Sequence, residues 1–228
     1  MSNIDIIKDE VTKLLCADDS GHGMDHINRV CRIASSIADE DVNQDIVLAI
    51  ALLHDADDYK LFGIDSQNNL TNTKMILSKT SFTEDEKNVI MDSVKTIGYS
   101  KRISGITPNI KEAMVVSDAD MIDAMGATGI LRSYHYNIAH DNPFFDENDF
   151  PVLDMDAETY KKKKTGTVVN HLFEKILRLK DLMLTNKGKE EAIRRYNFMV
   201  EFLREFFYEE DVPEWQDYLE DYIKKRVK

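Results

Sequence analysis

Histidine and aspartate follow apolar sequence at several places in this chain. The run "QDIVLAIALL" ends in "HDADD", which opens with His54 and Asp55, and "GMDHINRV" places His26 beside another apolar stripe. Further along, "EAMVVSDADMID" turns acidic at Asp118 and Asp120. A carboxylate at the end of a buried segment is costly unless something neutralises it, and imidazole with carboxylate suits divalent metals. The pattern predicts a metal site made of His26, His54, Asp55 and one aspartate of "DAD".

The elements that must position these residues have the periodicity of helices. "HINRVCRIASSIA" has apolar residues at helical spacing, with Cys31 predicted in the core, and "QDIVLAIALLHD" is apolar almost all round, which predicts a central helix. Thr83 and Glu86 predict a capping box, Pro108 stands where a first helical turn accepts proline, and Pro213 is predicted to begin a last helix. No stretch alternates long enough to predict a strand, so the expected fold class is all-α.

We expect one domain over residues 1–228, because no linker or repeat interrupts the sequence. A stripe near the C-terminus predicts a further helix, with Ile193, Tyr196, Val200, Leu203 and Phe207 on one face. A long irregular segment is expected from about His140 to Thr165. Its phenylalanines, Phe144, Phe145 and Phe150, either pack the segment down or stack on a base. Its "KKKK", residues 161–164, is either a solvated charge run or a lid over phosphates.

Charge and cysteine content exclude some classes of function. The formal net charge is −13, which argues against a nucleic-acid binder and requires that an anionic small substrate meet a local positive centre. The 2 cysteines form no CxxC motif, which fits a reducing cytoplasm. The N-terminus lacks a signal-peptide pattern, and the longest apolar run is too short to span a membrane. We expect a cytoplasmic protein whose partner is a small molecule.

The ordered set of motifs resembles the HD-domain superfamily of metal-dependent phosphohydrolases, whose pattern is H…HD…D on a helical bundle. His26 matches the first histidine, His54 and Asp55 match the HD pair, and Asp120 matches the last aspartate, which leaves Asp118 outside the ligand set. The small stand-alone bacterial YpgQ/YedJ-like branch is most similar. It shares "HD-x-x-D-x-K", "DADxxDAxGAxGI" and a block here written "NHLFEKILRLKDLM". The resemblance runs from about residue 20 to 210.

The resemblance also implies how the domain is divided and where it departs from the family. The metal core would span about residues 20–130, and C-terminal helices over about 166–228 would complete the site. The branch often has aspartate directly after the histidine at position 22, whereas this chain has Gly23. The role of His22 is therefore open between an outer contact of the site and solvent.

By resemblance, the chain would use one divalent ion, with Mn favoured and Mg, Co, Ni, Fe and Zn also compatible, to hydrolyse a nucleotide. The favoured reaction releases pyrophosphate from a nucleoside triphosphate. Asp58, three residues past Asp55, would act as general acid or base, and the phosphate would be held by Arg29, Lys60, His171 and Lys175. Phosphomonoesterase or cyclic-nucleotide phosphodiesterase activity is one alternative. A non-catalytic nucleotide-binding regulatory module is another.

Four of these residues also have a purely structural explanation. Asp58 would then be an ordinary helix-end acid, Arg29 a salt-bridged arginine, and His171 with Lys175 a pair on a helix surface. Asp118 and Asp123 are expected to be outer contacts or helix caps rather than ligands. The remaining histidines, His135 and His140, are assigned structural roles.

Overall fold

The computed structural model of the protein describes residues 1–15, 23–153 and 166–226. Within these ranges the secondary structure is helical and contains no strand, which confirms the all-α class. The helices are α1 (Asn3–Leu15), α2 (Met24–Ile37), α3 (Gln44–Leu53), α4 (Tyr59–Asn69), α5 (Thr71–Leu77), α6 (Glu84–Val94), α7 (Tyr99–Ile103), α8 (Lys111–Asp123), α9 (Gly126–Ile138), α10 (Val168–Glu174), α11 (Asn186–Glu209) and α12 (Pro213–Arg226), with a 3₁₀ helix at Ile176–Leu182. His22 and the lysines 161–164 lie outside the described residues, so the predictions made for them stay predictions.

The chain forms two compact units. The first unit comprises Met1–Asp123 with Leu182–Gly188, and the second comprises Ala124–Asp181 with Lys189–Lys228. The expectation of one domain over the whole chain stays a prediction. No helix in the described part of the chain is long and apolar enough to cross a lipid bilayer.

Helix α3 is the centre of the first unit, as its sequence predicts. It packs against α2 and α8, which also pack against each other. Its buried residues cover most of its circumference: Ile46, Val47, Ala49, Ile50, Ala51, Leu52 and Leu53. The side chain of Asn43 begins the helix by accepting hydrogen bonds from the N–H groups of Asp45 and Ile46. This burial fixes the end of α3, and therefore the position of the residue that follows Leu53.

Several local sequence predictions are confirmed and others are wrong. The capping box of Thr83 and Glu86 opens α6, and Pro213 begins α12. Pro108 lies three residues ahead of α8, which begins only at Lys111, so it is not in a first helical turn. Cys31 is half-buried rather than part of the core, and its partial burial raises the pKa of the thiol to about 11. Ile193 is 50% exposed, although the other members of its stripe are buried.

The second unit has an aromatic core that involves the irregular segment after α9. Phe145 lies edge-on to Trp215 with ring centroids 5.0 Å apart, and Phe150 stacks on the same indole at 4.3 Å. Trp215 donates its indole N–H to the carbonyl of Glu147 at 3.0 Å. Phe144 lies edge-on to Phe206 at 5.1 Å. Of the two roles open from sequence, these contacts favour packing of the segment over stacking on a base.

Candidate metal centre

His26 lies in the first turn of α2 and its ring is almost fully buried. Its Nδ1 atom is 2.7 Å from Oδ2 of Asp123, which ends α8 and is 0% exposed. A carboxylate at this position accepts a hydrogen bond, so the ring carries its proton on Nδ1 and presents the lone pair of Nε2. Asp123 also accepts two hydrogen bonds from Arg29, at 2.7 Å from Nε and at 3.2 Å from Nη2.

His54 is placed by the end of α3, where it is the C-cap residue. Its Nδ1 atom is 2.8 Å from the carbonyl oxygen of Ala51, which can only accept. His54 therefore also presents the lone pair of Nε2. A second-layer contact of this kind fixes the tautomer and orientation of a metal-binding imidazole.

The two Nε2 atoms face each other 3.2 Å apart. Two lone pairs at this distance repel unless a cation or a proton lies between them. Two carboxylates complete the arrangement: Oδ2 of Asp55 is 3.6 Å from His26 Nε2 and 3.5 Å from His54 Nε2. The corresponding distances from Oδ1 of Asp120 are 3.6 Å and 3.8 Å.

This arrangement fits a divalent ion. His26, His54 and Asp120 form a group whose ligand atoms all lie within 4.8 Å of one another and could hold a metal ion. Ligands at about 2.1 Å from one ion lie about 3.0–3.5 Å apart, close to the separations between the imidazoles and carboxylates here. A mixture of imidazole and carboxylate ligands suits Mn, Fe, Co, Ni or Zn. Asp55 approaches the same two imidazoles, so the four residues predicted from sequence are brought together.

Asp118 and Asp57 are buried carboxylates with structural partners. Asp118 is 0% exposed, and its carboxylate accepts hydrogen bonds from the N–H groups of Leu184 and Thr185 and from the Thr185 hydroxyl. Burial raises the pKa of this carboxyl group above its ordinary value, although these hydrogen bonds oppose the shift. Asp57, which sequence reasoning overlooked, accepts hydrogen bonds within the first unit from α4 and α5. The sequence feature that could have identified Asp57 is its position between two candidate site residues, Asp55 and Asp58.

The residues predicted to handle protons and phosphate are divided between the units. Asp58 caps α4, and its Oδ1 accepts the N–H of Lys60 at 2.8 Å. The side chain of Lys60 is exposed. His171 lies on α10, and Lys175 follows that helix directly, both in the second unit. The roles of these four residues in catalysis or phosphate binding stay predictions, as does that of Arg29, which the structure pairs with Asp123.

The chain is similar to a known protein family and to proteins of known structure. The HD domain family matches residues 23–125, which contain all four of the converging side chains. A Lactobacillus plantarum protein of known structure is 34% identical, with a TM-score of 0.76, over 90% of this chain and 95% of its own. An HD-superfamily hydrolase from Bacillus thuringiensis is 29% identical, with a TM-score of 0.70, over 91% and 96% of the two chains.

A further relative is YpgQ from Bacillus subtilis. Its sequence is 28% identical over 91% of this chain and 92% of YpgQ. Its crystal structure in complex with ADP has a TM-score of 0.68 at 26% identity and covers 91% of this chain and 94% of that chain.

Proposed function

Since this chain belongs to the HD-domain family, we propose that it is a metal-dependent phosphohydrolase that acts on nucleotides. His26, His54, Asp55 and Asp120 would hold one divalent ion, with Mn favoured. The observation that carries the proposal is the pair of facing Nε2 atoms 3.2 Å apart, with a carboxylate oxygen of Asp55 within 3.6 Å of both. A buried arrangement of this kind is stable when a cation binds it.

The chemistry follows from what each residue offers. When bound, a divalent ion supplies Lewis acidity and lowers the pKa of water. Asp58 is proposed to move the proton, because it follows Asp55 by three residues and the Lys60 N–H holds one of its oxygens. Asp123 accepts a hydrogen bond from the Nδ1–H group of His26, which leaves the Nε2 atom of the ring available.

A nucleotide is the proposed substrate, in particular a nucleoside triphosphate that is cleaved with release of pyrophosphate. The complex of YpgQ with ADP supports a nucleotide as the ligand class. In a chain with a net charge of −13, an anionic substrate requires cations at the site. Lys60, Arg29, His171 and Lys175 are the proposed contacts to phosphate, and the cytoplasm is the proposed location.

A screen of metals against substrates tests this proposal. Metal-stripped protein is mixed with Mn, Mg, Co, Ni or Zn and with nucleoside mono- and triphosphates and cyclic nucleotides. Released phosphate is assayed with and without added pyrophosphatase. We expect a signal that requires both a divalent metal and pyrophosphatase.

The other outcomes separate the alternatives. Direct release of phosphate from monophosphates would leave the proposed metal centre in place but replace the proposed reaction by that of a phosphomonoesterase. Ring opening of a cyclic nucleotide would replace it by that of a phosphodiesterase. Metal binding without any turnover would contradict the enzymatic proposal and favour a regulatory nucleotide-binding module.

A further inference from the structure

Asp57 anchors the turn that carries Asp55. It is 4% exposed, and both of its carboxylate oxygens are used. Oδ1 accepts a hydrogen bond from the Ser66 hydroxyl at 2.5 Å and from the Asn72 N–H at 2.8 Å. Oδ2 accepts the Thr73 N–H at 2.9 Å. The side chain therefore links the end of α3 to both helices that follow the turn.

The contact with α5 is a helix cap that comes from a distant part of the chain. The first N–H groups of a helix have no partner inside it. Leu70, the N-cap residue of α5, provides no side-chain hydrogen bond and has a left-handed backbone with φ of 51°. Asp57 takes this role, and its negative charge suits a helix N-terminus. The corner between α4 and α5 thus depends on a carboxylate from the turn after α3.

Asn72 returns the contact. Its side-chain Nδ2 donates to the carbonyl of Ala56 at 2.8 Å, while its backbone N–H donates to Asp57. The turn is also closed by its own backbone, because Ala56 N–H donates to Leu53 at 3.0 Å and Asp58 N–H donates to Asp55 at 3.1 Å. Neighbouring residues 56 and 57 are therefore held by one residue of α5, from the side chain and from the main chain.

We infer that Asp57 and Asn72 are positioning residues for the metal centre, which act by fixing the turn His54–Asp58. Asn72 holds residues 56 and 57. Asp55 directly precedes these two residues, and Asp58 directly follows them. A ligand and a proton-transfer group on one short turn keep their relative geometry only if the turn is held from outside, since a misplacement of about 1 Å is enough to lower activity strongly. The inference rests on the proposed function and adds residues that neither bind the metal nor contact substrate.

The test is Asn72→Ala, with Mn²⁺ as the probe. Titration calorimetry without nucleotide measures Mn²⁺ affinity, and steady-state kinetics at saturating Mn²⁺ measures kcat and KM. We expect affinity and kcat each to fall by about tenfold or more, as for other supporting contacts of metal ligands, with KM changed by less than about threefold. Ser66→Ala removes one of the hydrogen bonds to Asp57. It should lower Mn²⁺ affinity and kcat less than Asn72→Ala does, and it is the test variant if Asn72→Ala does not fold.

The matched control is Thr83→Ala. The Thr83 hydroxyl caps α6 by accepting a hydrogen bond from the Glu86 N–H at 3.3 Å, and the substitution removes this cap. Thr83 lies in the same unit of the protein as Asn72. The substitution should lower thermal stability but leave Mn²⁺ affinity and kcat at wild-type values. Wild-type values in Asn72→Ala and Ser66→Ala would overturn the inference while the proposed function stands. Absence of both Mn²⁺ binding and turnover in the wild-type protein would overturn both.

Discussion

Asp123 holds His26 in one tautomer: its Oδ2 lies 2.7 Å from the ring Nδ1, and neither side chain is more than 4% exposed. The two residues come from different helices, α2 and α8, which pack against each other. Asp120 lies on α8 one turn before Asp123, so the same helix supplies a candidate ligand and the residue that orients another. The rotation of α8 about its axis therefore sets both the distance from Asp120 to the two imidazoles and the distance from Asp123 to His26.

Asp123→Asn should weaken metal binding without unfolding the protein. The amide removes the negative charge that favours a metal-binding Nε2 and leaves Arg29 without its ionic partner. Loss of such a contact typically costs about 10–100-fold in metal affinity or activity. Calorimetric Mn²⁺ titration measures the change. The control is Asp65→Asn on the exposed surface of α4, which should bind Mn²⁺ as the wild-type protein does.

Arg29→Met separates two roles for this arginine. The sequence predicts a contact to substrate phosphate, whereas the structure gives Arg29 two hydrogen bonds to Asp123. If support of Asp123 dominates, Mn²⁺ affinity should fall by about tenfold in the absence of nucleotide. A variant with wild-type Mn²⁺ affinity and a raised KM for nucleotide would show instead that the phosphate contact is the main role.

Asp55→Ala should abolish Mn²⁺ binding and turnover while the helical content is retained. Asp55 lies after the buried helix α3, and its carboxylate approaches both imidazoles at 3.5–3.6 Å, so the change removes a proposed ligand without removing core packing. Circular dichroism checks the fold, and the pyrophosphatase-coupled assay checks turnover. Retained turnover would defeat the proposed mechanism. Asp65→Ala controls for the loss of a carboxylate.

Gly188→Ala should destabilise the protein, although the same change at exposed helix positions usually stabilises. A Cβ atom at Gly188 would lie 2.4 Å from Oδ2 of Asp118 and 2.6 Å from Oγ1 of Thr185. The buried Asp118 would have to move and lose hydrogen bonds. We expect a loss of about 1–3 kcal/mol in the free energy of unfolding, measured by urea denaturation. Lys189→Ala, at the exposed neighbouring position, should change it little.

Glu10 should make stability depend on acid pH. Its hydrogen bonds with Lys13 and then Lys79 lower its pKa to about 2 from 4.5. A lowered folded-state pKa stabilises the native protein above the unfolded value, and this stabilisation is lost as the pH falls from about 4.5 towards 2. Urea unfolding of the wild-type protein and of Glu10→Gln should therefore differ more at pH 6 than at pH 2.5. An equal difference at both values would contradict the prediction.

The sequence was sufficient to predict features that depend on residues close together in the chain. α2 follows from apolar periodicity and α3 from a run that is apolar almost all round. His54 is adjacent to Asp55, so the HD pair can also be recognised from sequence. Burial at the edge of a stripe depends on what packs there, and for this reason Cys31 and Ile193 are more exposed than predicted. Pro108 permits a helix start but does not require one.

The supporting contacts of the centre could not be predicted, because they join residues far apart in sequence. Asp123 is separated from Arg29 by 94 positions, and Asn72 is 16 positions from Ala56. An outer or capping role was expected for Asp123 because metal ligands usually have supporting partners, but no pattern identified Arg29 as its partner. Such pairs emerge only when helices pack in three dimensions.

The chain contains 1 tryptophan, and its location decides what the intrinsic fluorescence of this protein reports. Trp215 is 1% exposed and belongs to the second unit, where it stacks on Phe150. Its emission therefore follows the packing of that aromatic core, while the imidazoles and carboxylates of the candidate metal centre lie in the first unit. Far-ultraviolet dichroism follows the helices of both. A comparison of the two signals during unfolding distinguishes a chain that melts as one cooperative body from one whose halves melt separately.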